Sequence, residues 1–216
     1  MIKKDDGKSL KETIHDAEYH DILIGKYPIN HIITERVLVE KYQVSKAPVR
    51  EALVQLCSEN MLKSIPRCGY QVVQITAREI EEGLSMRLLL ELGSLERTAK
   101  KITPSQFKEL QANIDKSQEI TDNQDIFNHW FHNISFHLLL CSLADNTLLY
   151  ATLDQVLKYC SRGAYQYFNR TWAKDILTDA SQHQLVVGYL ANGNLEEAKS
   201  ALYEDILSMR EAFQSS

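Results

Sequence analysis

The 216-residue chain lacks most of the features that mark specialised classes of protein. Its 4 cysteines, Cys57, Cys68, Cys141 and Cys160, form no CxxC pair and fall short of a disulfide framework. Reduced thiols in a cytoplasm are the expectation. No apolar run approaches the roughly eighteen residues of a membrane span, and the opening MIKKDDGKS has no apolar secretory segment. Low-complexity tracts and internal repeats are missing too. There is no HExxH, no nucleophile elbow and no phosphate loop, which removes the common signatures of hydrolytic and nucleotide-using enzymes. A strongly basic composition is also missing: 24 Lys+Arg stand against 29 Asp+Glu, for a net charge of −5. That balance is uneven. Residues 1–75 carry 11 Lys+Arg against 10 Asp+Glu, and residues 76–216 carry 13 against 19. Any nucleic-acid binding must therefore rest on placed residues in the first part rather than on a broad positive field.

What the chain does have is concentrated in Thr34–Gly69. Thr34 is placed to cap a short helix with Val37, Leu38 and Tyr42 inward. Gln43-Val44 makes a tight turn, and Ser45 is placed to cap a second helix through its hydroxyl. Pro48 sits in the first turn, where a missing N–H does no harm. Val49, Ala52, Leu53 and Leu56 then fall at i, i+3, i+4 and i+7, one apolar face. Lys46 and Arg50, four apart, lie on a different face. Residues 61–75 read as two β-prone runs around Pro66-Arg67-Cys68-Gly69, a hairpin. Upstream, a helix is expected over residues 9–24 with Leu10, Ile14, Ala17 and Ile24 inward. Gly25 supplies the left-handed stop, and Asn30 tolerates a left-handed backbone in the connector 26–33.

Beyond Thr76-x-x-Glu79, a capping box, the periodicity is helical throughout. Helices are expected over 77–101, from Thr103-Pro104, and over 125–144, 147–168, 172–191 and 195–213. The first of these is read as burying Ile80, Leu84, Leu88, Leu92, Leu95 and Ala99. The fold class is therefore mainly α. A winged helix-turn-helix of three helices and a small β-hairpin occupies residues 1–75, and an all-α antiparallel bundle occupies residues 76–216.

These residues resemble the GntR family of bacterial transcription regulators. The family motif, approximately Ser-Arg-x-Pro-Val-Arg-Glu-Ala-Leu, stands here as Ser45-Lys46-Ala47-Pro48-Val49-Arg50-Glu51-Ala52-Leu53. Gly25, the Glu35-Arg36 pair and Arg67-x-Gly69 fit as well. An all-helical second part with Arg87 and Glu91 on its first helix is similar to the FadR-type subfamily and its ligand-sensing FCD domain. The resemblance implies a homodimeric, cytoplasmic regulator on a palindromic double-stranded operator, with no membrane partner and no catalysis. It implies DNA contacts at Arg36, Lys46, Ala47, Arg50, Arg67 and Gly69. Arg50 suits guanine O6/N7, whereas Lys46 stands where Arg is usual and lacks the bidentate fork.

The resemblance also aligns Asn133, His137, His183 and Asp205 with the subfamily's metal ligands, usually one Asp and three His. Two of the four are changed, giving N₂O₂ instead of N₃O, which shifts preference toward harder ions. A divalent ion of the Zn, Ni or Mn class and a metal-free pocket both stay open. Arg87 stands where the subfamily often has a cation for an organic-acid effector; the alternative is an i, i+4 ion pair with Glu91. His129, Tyr159, Arg162 and Tyr165 are further candidates for the cavity lining, and Phe127 and Phe131 suggest core near His129. The functional reading is a DNA-binding regulator whose helical part senses a small molecule, a carboxylate in the first instance. The alternatives are an acyl-CoA-type pocket, a bundle that only dimerises, and, least favoured, a metal-dependent enzyme built on His137, His183 and Asp205. Effector identity, target genes and the choice between repression and activation stay open.

Overall fold

The computed structural model describes residues 8–28, 30–119, 126–171 and 180–214. It divides into two compact units, Met1–Ile75 and Thr76–Ser216.

In the first unit, α1 (Leu10–Leu23), α2 (Glu35–Tyr42) and α3 (Lys46–Ser58) surround an apolar centre. Val49, Ala52, Leu53 and Leu56 are all fully buried, the face that the 3–4 spacing anticipates. Thr34 caps α2 through its side chain, and Gln43 turns the chain in the left-handed region at φ 54°. Gly25 and Asn30 also take positive φ. Ser45 occupies the N-cap of α3 but makes no side-chain capping hydrogen bond. That correction leaves Pro48 and the fixed turn geometry to set the start of the helix. Val37, expected inward, is exposed.

α1 departs furthest from its expected pattern. Leu10 and Ile24 are exposed, and the buried positions are Ile14, Glu18, Asp21 and Leu23. Glu18, completely buried, accepts from Lys41 Nζ at 2.7 Å, from the Tyr27 hydroxyl at 2.7 Å and from the Tyr42 hydroxyl. Asp21 accepts from Lys26 at 2.7 Å and Lys41 at 2.8 Å. A buried carboxylate is tolerated because it is paired and fully hydrogen-bonded. This network fastens α1 to α2 and to the connector.

The expected hairpin, β2 (Leu62–Ile65) and β3 (Gly69–Val72), carries a third strand that the sequence reading left inside the connector, β1 (Ile32–Ile33). The sheet order is β1-β3-β2, all antiparallel, with Ile33 opposite Tyr70 and Ile65 opposite Gly69. The turn places Arg67 at φ 63° and Gly69 at φ 138°. A Cβ on Gly69 would lie 2.6 Å from the Ile33 carbonyl oxygen. Gly69 is thus required by the fold's own strand pairing and its backbone conformation. Gly69→Ala is expected to cost about 1–3 kcal/mol, read as an earlier melt of the first unit.

Among the described residues, the second unit is six helices: α4 (Ala77–Ala99), α5 (Pro104–Gln118), α6 (Ile126–Ser142), α7 (Thr147–Thr171), α8 (Ala180–Ala191) and α9 (Leu195–Gln214). Thr76 and Thr103 open α4 and α5 with complete capping boxes. α4 packs against α6, α7 and α9, and α8 pairs with α9 and α5. Gly83 lets α4 approach α7 closely; a Cβ there would meet Cys160 Sγ at 2.8 Å. Of the expected stripe on α4, Ile80, Leu84 and Leu95 are buried, but the buried face also carries polar residues. It includes Arg87, Glu91, Ser94 and Thr98, while Leu88, Leu92 and Ala99 are only half-buried. The core of this unit is therefore apolar with a buried polar strip along α4.

Candidate functional site

Two groupings carry chemistry, one in each unit. The first is at the start of α2 and α3. Lys46, Ala47 and Arg50 are exposed on α3, Arg36 is exposed on α2, and Arg67 is exposed at the hairpin tip. Gly69 is half-buried in β3. Arg36 Nε lies 4.0 Å from Glu40, a loose solvated pair. Lys46 and Arg50 instead converge on one carboxylate. Glu35 Oε2 is 2.9 Å from Lys46 Nζ, and Glu35 Oε1 is 3.2 Å from Arg50 Nε. The Tyr70 hydroxyl donates to the same Oε1 at 3.3 Å. Lys46 first, then Arg50, holds the Glu35 carboxyl below the usual range, so it is ionised. The sequence offered Glu35 only as part of a motif; its role is visible once helix, turn and strand are folded together.

The second grouping lies inside the helical unit. α6 supplies His137, α8 supplies His183 and α9 supplies Asp205, and one ligand atom from each falls within 4.8 Å of the other two. His137 Nε2 is 3.1 Å from Asp205 Oδ2, and His183 Nε2 is 3.5 Å from Asp205 Oδ1. All three residues are buried. Distance alone does not make these contacts hydrogen bonds: His137 Nε2, His183 Nε2 and Asp205 Oδ2 are buried with no directed partner among the described residues. Buried polar atoms left this way cost about 1–3 kcal/mol each. Three of them facing one point is the arrangement a cation would satisfy. Asn133 stands one turn before His137 on α6, half-buried, where helical spacing puts its carbonyl on the same face. The donor chemistry, two imidazoles with one carboxylate, fits a divalent ion of the Zn, Ni or Mn class.

Behind the cluster is a support that sequence reasoning treated only as an alternative for Arg87. Arg87 Nε donates to Glu91 Oε1 at 2.7 Å, and His137 Nδ1 meets Glu91 Oε2 at 2.6 Å. With Nδ1 donating to Glu91, the imidazole turns Nε2 toward Asp205 and His183, the second support that metal-binding histidines commonly have. Arg87 Nη1 contacts Met209 Sδ at 3.3 Å, and Nη2 has no hydrogen-bond partner among the described residues. The i, i+4 ion pair weighed as the alternative for Arg87 is thus formed, and Nη2 of the same guanidinium is left over.

The electrostatics follow from burial and pairing. Burial raises the Glu91 carboxyl, but Arg87 and His137 more than offset it and keep it ionised. Burial lowers His137, but Glu91 and Asp205 reverse the sign and hold it above its ordinary value. Burial wins at His183, which stays neutral and able to offer a lone pair. Asp205 is held well below the carboxylate range by His183 and His137 against its burial. Cys160, nearby on α7, is pushed by burial up to about 11 and remains a thiol rather than a thiolate ligand.

Among the other candidates, His129 is buried on α6 outside this cluster. Phe131, expected near core, is 57% exposed. Tyr159 lies beside Gly83, with the Arg162 guanidinium 5.7 Å from its ring centroid. The side chains of Phe127 and Tyr165 lie outside the described residues.

The chain matches the FCD domain family over residues 82–208 and the family described as "Bacterial regulatory proteins, gntR family" over residues 10–72. It is 23% identical over 180 residues to the HTH-type transcriptional repressor RspR of Escherichia coli, covering 83% of this chain and 78% of that protein. It is 27% identical to the Uxu operon regulator of Haemophilus influenzae, covering 88% and 76%. Among solved structures, E. coli McbR/YncC superposes with a TM-score of 0.79 at 23% identity, over 96% of this chain and 99% of that one. A putative GntR regulator from Rhodococcus sp. RHA1 gives 0.74 at 19% identity, over 97% and 100%. The relatives are transcription regulators rather than enzymes. No helix among the described residues is long and apolar enough to cross a membrane. With its N-terminal helix-turn-helix and its helical second unit, this chain belongs to the GntR family of bacterial transcription regulators, in the branch that carries an FCD domain.

Proposed function

We propose that this DNA-binding regulator is a cytoplasmic homodimer that represses its targets and changes operator affinity when a small carboxylate reaches a metal held in the helical unit. The observation that carries this reading is the convergence of His137 Nε2, His183 Nε2 and Asp205 Oδ2, buried and without directed partners. These three, with Asn133 as a neutral fourth ligand, would hold the ion. When bound, the ion supplies open coordination positions for an acid's oxygens. Arg87 is the companion cation, with Nη2 for a carboxylate and Nε fixed by Glu91.

On DNA, Arg50 reads guanine, Lys46 and Arg36 meet phosphate, and Ala47, Arg67 and Gly69 lie against the duplex from helix and wing. A two-fold dimer matches a palindromic operator. Exposed Met86 and Leu89 on α4, with Gly93 open one turn further on, support an apolar seam for a second copy. The description of RspR as a repressor supports the repressor reading.

Metal titration of the full chain tests the sensor. After stripping with chelator, Mn²⁺, Ni²⁺ or Zn²⁺ at a hundredfold excess over Kd is expected to stabilise the helical unit by about 2.7 kcal/mol. Asp205→Asn should lose most of that gain. No melting shift with any of the three ions, and no metal in the purified protein, would overturn the metal reading; if no small carboxylate raises the melting temperature either, a bundle that serves dimerisation alone is left.

A further inference from the structure

The carboxylate of Glu35 is placed unusually for a surface meant to meet a polyanion. It is the first residue of α2, its side chain is only 15% exposed, and it sits between the two cations of α3. Three elements meet on it: α2 through Glu35 itself, α3 through Lys46 and Arg50, and the wing strand through Tyr70. Burial first, then the Glu35 charge, pushes the Tyr70 hydroxyl above its ordinary value, and the nearby Arg50 offsets part of that rise. Glu35 thus gathers Lys46, Arg50 and Tyr70 onto one carboxylate.

We infer that Glu35 is the positioning and specificity-determining residue of the DNA-reading surface. Its ion pair with Arg50 is closest at Nε, 3.2 Å from Oε1, and a planar guanidinium paired at that edge keeps its two Nη groups available as a fork. An arginine on a free four-bond stem would have to be ordered by the DNA itself, at a conformational cost of up to about 2 kcal/mol. Ordering it beforehand favours the one base step that matches the fixed fork. Glu35 also cancels one of the two positive charges next to it. Lys46, Arg50 and Glu35 together carry a net +1, where the cations alone would carry +2. The cancelled charge weakens attraction to phosphate of any sequence, the term that dominates non-specific binding. The same carboxylate therefore sharpens the specific mode and suppresses the non-specific one. This inference rests on the reading of Arg50 as a DNA contact.

The test uses the full chain, an operator duplex obtained by selecting wild-type protein against a random library, and a random duplex of equal length. Binding of each is followed by fluorescence anisotropy over a salt series. Glu35→Gln keeps a similar shape and removes the charge. It is expected to tighten random-duplex binding several-fold, steepen its salt dependence, and lower the operator-to-random affinity ratio by about tenfold or more, the scale of one well-made base contact. In an Arg50→Ala background, adding Glu35→Gln should not reduce that ratio further. Glu51→Gln, the same loss of charge one residue from Arg50, should raise both affinities alike. The inference fails if Glu35→Gln behaves like Glu51→Gln, or if it lowers the ratio equally with and without Arg50. If instead the selection yields no preferred sequence, it is the DNA-reading premise that has failed, and the positioning role falls with it. Thermal melting of each variant separates a lost fold from lost positioning, and Glu35→Ser supplies a second variant should Glu35→Gln melt early.

Discussion

Glu91→Ala is expected to destabilise the helical unit by about 3–5 kcal/mol, the penalty for breaking a buried ion pair from one side. Glu91 is 3% exposed and serves two partners at once, Arg87 at 2.7 Å and His137 at 2.6 Å. Removing it strands a guanidinium that is 1% exposed and leaves His137 Nδ1 without its acceptor. Melting of the second unit should move down by roughly 10 °C, given a few degrees per kcal/mol for a unit of this size. The Arg87→Met/Glu91→Leu double variant removes both charges and should lose less than Glu91→Ala alone. Equal losses would mean that the charge pairing is not the cause. A second readout separates support of the metal site from simple stability. In Glu91→Gln, which keeps a hydrogen-bond acceptor for His137, metal affinity should fall by about 10–100-fold, the usual cost of losing a histidine's outer partner.

Arg50→Ala is expected to remove about 1–3 kcal/mol of base discrimination at each half-site. The proposed dimer engages two half-sites, so operator affinity falls by about 30-fold or more, while random-duplex affinity changes only a few-fold. The asymmetry is the prediction, because phosphate contacts and base contacts respond differently to sequence. Lys46→Ala should weaken both duplexes by similar factors and reduce the salt slope by about 1. Competition titrations with the two duplexes check both variants. A uniform loss in Arg50→Ala would make Arg50 a phosphate contact and move the reading role elsewhere on α3.

The first unit was largely legible because its signals are local. A cap at Thr34, a turn at Gln43-Val44, and apolar residues at 49, 52, 53 and 56 are all decided within a few residues of chain. β1 was not legible: two isoleucines at the end of a connector become a strand only because β3 lies alongside them. The buried network on α1 was missed for a different reason. Glu18 and Asp21 look like solvent-facing residues until Lys41, about twenty positions later, is folded against them. The same holds for α4, where Ile80, Leu84 and Leu95 are buried as hydropathy implies, but Arg87, Glu91, Ser94 and Thr98 are buried beside them in place of Leu88, Leu92 and Ala99. A buried polar face has no periodic apolar signature, and its partners here come from α6 and α9, 46 and 122 residues away. His137, His183 and Asp205 were found only through the family alignment, since no spacing rule links three helices. That alignment also pointed to Arg87 while the partner that organises it, Glu91, was read merely as a competing ion pair.

The most direct test of the whole account joins its two ends. Binding of a labelled operator duplex is measured for full-length protein in three states: stripped of metal, loaded with Mn²⁺, Ni²⁺ or Zn²⁺, and loaded in the presence of a panel of small carboxylates. Coupling between distant sites commonly amounts to 1–3 kcal/mol. Operator affinity is therefore predicted to shift by at least about fivefold between the stripped state and one loaded state, and His137→Ala should abolish the shift. Operator affinity that is the same in all three states, alongside normal salt-sensitive DNA binding, would contradict the account and reduce the helical unit to a dimerisation module.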